Sequence, residues 1–169
     1  MESRAKLFGH PIHQMLIVFP LGVLAMALVF DLIARFAGWP DLHRASYYMI
    51  AAGVISGLAA AVFGLIDFLA IPRGTRARRI GAFHGVGNVV VVALFALSWF
   101  LRREDPAHPA VLPIALAAGG ALLATVTGWL GGELVDRLGV GVDDGAHLDA
   151  PSSLSGPVPA GGTTTRTRA

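Results

Sequence analysis

From Val111 to Leu130, twenty consecutive residues carry no charged side chain. At 1.5 Å of helical rise per residue, a run of ~20 residues crosses the ~30 Å hydrocarbon core of a bilayer. Three further long apolar stretches precede it, over about 12–36, 45–71 and 82–101. Backbone N–H and C=O groups find no water in hydrocarbon, so each stretch must close its own hydrogen bonds as a helix. The sequence therefore predicts an all-α integral membrane protein of four helices, the last over about 111–134. With 54% hydrophobic and only 14% charged residues, the composition lies outside the soluble range, where about 25% are charged. A mean hydropathy of +0.65 agrees.

Prolines punctuate the pattern. Pro11 suits a first helical turn, where its missing N–H would be unpaired anyway, and Pro20 predicts a kink inside the first helix. Pro40, Pro72, Pro106 and Pro109 mark short connections. Connections this short force neighbours antiparallel, so the expected architecture is an up-down-up-down bundle. Residues 1–142 form one transmembrane domain on this reading. Residues 143–169, rich in Pro, Gly, Ser and Thr, read as a disordered tail.

The formal net charge is +2, but the basic residues are scattered through short loops instead of forming one patch, which argues against nucleic acid. One set of loops and ends holds Arg4, Lys6, Arg73, Arg76, Arg78, Arg79 and Arg137; the other holds only Arg35, Arg44, Arg102 and Arg103. By the positive-inside rule both termini are expected to be cytoplasmic. Arg4 and Lys6 precede the first apolar run, yet no small-x-small cleavage site follows, so that run is expected to be a retained helix. The chain has no cysteine. Disulfides, thiolate-held zinc, iron–sulfur clusters and covalently attached haem are thereby excluded, leaving His and carboxylate as the natural metal ligands.

Ionisable groups at membrane depth are expensive and carry a functional hypothesis by default. His10 and His13 open the first helix, Asp67 closes the second, His84 and Asn88 open the third, and Glu133 and Asp136 close the fourth. Antiparallel packing would gather all of them at the cytoplasmic face. Gly53, Gly57, Ala60, Gly64 and Asp67 share one helical face, a small-residue ridge that admits a neighbouring backbone. Gly120, Ala124, Gly128 and Gly131 suggest a second ridge, with Thr125, Trp129, Glu133 and Asp136 beside it. Each polar residue also has a plain reading. Asp67 would pair with an arginine of residues 73–79 or with His84, and Asp31 would meet Arg35 one turn on. His43, His108 and His147 would lie on the surface.

At these residues the chain resembles the bacterial membrane proteins grouped as domain of unknown function 2231. The matching pieces are Gly9-His-Pro-Ile-His13 leading into Phe19-Pro-Leu-Gly22, then Gly64-Leu-Ile-Asp67, then His84 with Asn88. Gly128-Trp-Leu-Gly-Gly-Glu-Leu-Val135 and Gly139-Val-Gly-Val142 complete the set. The resemblance covers about residues 7–142. It departs at Gln14, where the family commonly has proline, and at Asp136 and Leu138, where it commonly has Tyr and His. It implies a four-helix, multi-pass protein of the bacterial inner membrane with no assigned activity, whose relatives are sometimes associated with Rieske iron–sulfur proteins.

Two functions stand side by side on this reading. The first is an accessory or partner-binding membrane subunit whose polar cluster is structural, embedded in the lipid bilayer beside a membrane partner, a Rieske-type redox protein or a second copy. The second is a redox or metal module. Haem b would take His84 with His13 or with His10; a zinc, iron or manganese ion would take His10, His13 and His84 with Asp67 or Glu133, with Asn88 and Asp136 in support. Transport along the same residues is less favoured, because four helices leave little room for a path. No nucleophile triad, phosphate loop or nucleotide fingerprint is present.

Overall fold

A computed structural model describes residues 1–155. Residues 156–169 of the expected tail lie outside the described residues. A two-residue hairpin, β1 (Lys6–Leu7) with β2 (His10–Pro11), precedes five helices: α1 (Ile12–Leu16), α2 (Val18–Ala37), α3 (Pro40–Ala70), α4 (Arg76–Leu101) and α5 (Val111–Gly132). α1 and α2 form one membrane helix, interrupted at Ile17. Pro20 explains the interruption: it offers no N–H to Leu16, and its ring crowds that carbonyl four residues back. A π-helical turn, Glu133–Arg137, continues α5.

The ends are set by local chemistry. Gly38 closes α2 in the left-handed conformation at φ 72°, its N–H donating to the Ala34 carbonyl at 2.9 Å. Pro40 then opens α3 at a position that needs no N–H. Helix α3 thus begins at Pro40, ahead of the residue 45 suggested by hydropathy, and His43 becomes helical. Thr75 caps α4 by accepting from the Arg78 N–H at 3.1 Å.

Four helices are long and apolar enough to cross a membrane, with mean hydropathies of 1.8–2.6 over their most apolar windows. Only 17–22% of each window is buried, so most of the apolar surface faces outward, the arrangement lipid requires. Contacts pair His13 with Ala60, Leu24 with Gly53 and Asp31 with His43. As one number rises the other falls, so α1–α2 runs opposite to α3. The pairs Gly57–Val92 and Ser46–Arg102 do the same for α3 and α4, as His84–Thr127 and Ser98–Pro113 do for α4 and α5. Helix α2 also packs on α5, closing a ring around Leu24, Ala27, Ile50, Val91, Phe95 and Ala117.

Candidate functional site

Polar side chains concentrate at both ends of this core. At the end that holds the chain's start, His13 and His84 approach each other from α1 and α4, ring centres 6.4 Å apart and planes at 89°. Each imidazole is fixed by a backbone carbonyl: His13 Nδ1–H donates to Ala60 O at 2.9 Å, and His84 Nδ1–H to Thr127 O at 2.8 Å. A carbonyl can only accept, so the proton sits on Nδ1 in both rings. The Asn88 amide then donates to His84 Nε2 at 3.2 Å, while its oxygen accepts from Thr127 Oγ1 at 2.9 Å. Glycines make room for the rings. A Cβ on Gly64 would lie 2.8 Å from His13 Cε1, and one on Gly131 would lie 3.1 Å from His84 Cε1.

The other expected members of the cluster are engaged elsewhere. Asp67 pairs neither with residues 73–79 nor with His84. It accepts from Ser3 Oγ at 2.8 Å and from the Arg4 and Ala5 N–H groups at 2.7 and 3.4 Å. The N-terminal segment is thereby strapped across the bundle end, and the Met1 ammonium continues it by donating to Gly139 O at 2.8 Å. Lys6 bridges Glu2 and Asp143, at 2.5 and 3.5 Å. The Gly145 N–H and the Lys6 ammonium hold the Asp143 carboxyl below the usual carboxylate range. Glu133 pairs with Arg76 at 2.6 Å, and Asp136 is exposed. His10 is exposed too, with Ser153 Oγ 3.4 Å from its Nε2. Of the expected ligands, the structure brings His13 and His84 together. Among the described residues, no group of three or more His, Cys, Asp or Glu is placed to hold a metal ion.

At the opposite end lies a buried ionic network that the sequence reading missed. Arg102, 1% exposed, reaches from α4 to Asp31 on α2, which is wholly buried. Its Nη1 donates to both carboxylate oxygens, at 3.0 and 2.9 Å, and its Nη2 to Ser98 Oγ at 2.9 Å. Ser98 Oγ–H in turn donates to Pro113 O at 2.6 Å, tying in α5. His43 of α3 donates Nδ1–H to Asp31 Oδ1 at 2.9 Å. Asp31 therefore meets Arg102 and His43, not Arg35, and His43 is buried where a surface position had been expected. The arginine Nε is buried without a partner among the described residues.

The histidine pair and this network both lie within residues 9–144, the stretch matched by the family model described as Predicted membrane protein (DUF2231). The chain belongs to that family. No curated protein and no solved structure matches it. For this DUF2231 member, the recurring sequence pieces now have locations. Gly9-His-Pro-Ile-His13 supplies the turn of the N-terminal hairpin and one imidazole, Gly64 is the socket for that ring, and Asp67 is the anchor of the strap.

Proposed function

We propose that this DUF2231 protein is an accessory subunit of the bacterial inner membrane, with both termini cytoplasmic, that holds a membrane partner and whose polar cluster is structural. One observation carries the reading: the polar side chains that most resembled a site spend their hydrogen bonds inside the chain. Asp67 serves the N-terminal strap, His13 and His84 serve facing backbones, and Glu133 serves Arg76. Such bonds position helices; in membranes each contributes only ~0.6 kcal/mol on average, so many are needed. The family resemblance makes a Rieske-type redox protein the first partner to try.

A second reading rests on the 6.4 Å approach of His13 and His84. Imidazoles that ligate metals characteristically donate their other ring N–H to a carbonyl or carboxylate, as both rings do here. Haem b or a zinc, iron or manganese ion would be held by these two residues, with Asn88 swung away from His84 Nε2. The group would supply redox or Lewis-acid chemistry.

Oxidised and dithionite-reduced spectra of the protein in mild detergent, with elemental analysis on the same sample, separate the two. An accessory subunit gives featureless spectra, no stoichiometric metal and a stoichiometric partner after cross-linking in native membranes. A Soret band that shifts on reduction, lost in His84→Ala while the fold persists, moves the conclusion to the second reading.

A further inference from the structure

The buried network has one open side. His43 is 6% exposed and donates Nδ1–H to Asp31, which leaves Nε2 as its free nitrogen, without a partner among the described residues. The same residue lines a cleft of about 360 Å³ whose other polar walls are Arg35 and His108, between Gly38, Pro40 and Pro109. That volume lies in the range of small-molecule sites, ~300–1,000 Å³. Three basic side chains and no carboxylate line it. The nearby acids are already matched: Asp31 by Arg102, Asp105 by His108 at 3.1 Å, and Asp41 by Arg44 at 3.4 Å. Arg35 makes no ion pair among the described residues and is exposed, so the lining is left with an unmatched positive charge.

We propose that this cleft binds an oxyanion of the phosphate or carboxylate class, with Arg35 taking its charged oxygens and His43 as the buried contact that orients it, in the doubly protonated form that keeps Nδ1–H on Asp31 and offers Nε2–H to the ligand. A guanidinium presents parallel N–H groups that match such oxygens in pairs. The neighbouring exposed Trp39 is of the type that meets the headgroups at a membrane interface. The oxyanion is therefore either a free ion or the phosphate of a lipid headgroup. The assignment does not depend on the role of the His13–His84 pair.

The test uses the full chain in mild detergent. Calorimetric titration with inorganic phosphate, and separately with acetate, is run on wild type, Arg35→Gln and His43→Gln. Native mass spectrometry of the same preparations reads retained phospholipid. Because Arg35 is exposed, Arg35→Gln keeps the wild-type melting temperature, and it remains decisive if His43→Gln fails to fold. Binding of either ion, weakened at least about tenfold by Arg35→Gln, supports a free-ion site. Anionic phospholipid kept by wild type through detergent exchange but lost from Arg35→Gln supports the headgroup. No binding and no retained lipid overturns the proposal, as does binding that Arg35→Gln leaves unchanged.

Discussion

A guanidinium buried as completely as that of Arg102 is tolerated because one Asp31 carboxylate and one Ser98 hydroxyl take its Nη hydrogens. Removing one partner strands the other charge. Arg102→Met is therefore expected to lose roughly 3–5 kcal/mol of stability, measured by melting or denaturant titration in detergent. Asp31→Leu combined with Arg102→Met should recover much of that loss, since apolar replacement of a whole buried pair is often neutral. A double variant whose losses simply add would show that the two charges are not coupled. The pair was legible in principle. Buried positions on α2 fall at Leu24, Ala27, Asp31 and Ala34, and those along α4 at Val91, Phe95 and Ser98, continued by Arg102 just past its end, each a stripe that turns polar at one level. Reading Arg102 only as a topology charge and starting α3 at residue 45 hid it, because hydropathy averages over a helix and ignores its faces. The Asp67 anchor was less accessible, since two of its three donors are main-chain N–H groups that no residue type announces.

At the level of the helix, the glycines of α3 and α5 differ in what a methyl group would meet. Gly53 backs onto the Leu24 side chain and Gly64 onto the His13 ring, whereas a Cβ on Gly128 would meet nothing within 4 Å. Gly53→Ala and Gly64→Ala are expected to overpack their helix interfaces, at about 1–3 kcal/mol each. Gly128→Ala should be neutral or stabilising by up to ~1 kcal/mol, because alanine favours the helix. Thermal melts of the three variants in one detergent check this; equal losses at Gly64 and Gly128 would contradict the packing described. The α3 ridge was readable because the spacing of Gly53, Gly57 and Gly64 stays on one face. The α5 ridge was misjudged at Gly128. At ~3.6 residues per turn, eight residues beyond Gly120 lands about 80° round the helix, while the eleven to Gly131 return to within about 20°.

For the molecule as a whole, sequence and packing agree on four lipid-facing helices, and orientation rests on the charges of the loops. The Met1 ammonium bonded to Gly139 puts the start of the chain and the segment after α5 at one end. Arg73, Arg76, Arg78 and Arg79, which lie between α3 and the first turn of α4, gather at that end as well, since Arg76 pairs with Glu133 and Arg78 stacks on Phe68. The positive-inside rule predicts that this end is cytoplasmic, so the proposed anion cleft beside Arg35 would face outward. A chain without cysteine makes this directly measurable. Ala110 and Ala146 are both exposed, at opposite ends of the bundle. A membrane-impermeant maleimide should label Ala110→Cys in intact cells, and Ala146→Cys only after permeabilisation. The reverse pattern would invert the topology and turn the cleft toward cytoplasmic oxyanions. The helix packing would be untouched, because the buried contacts are indifferent to which side of the bilayer each end occupies.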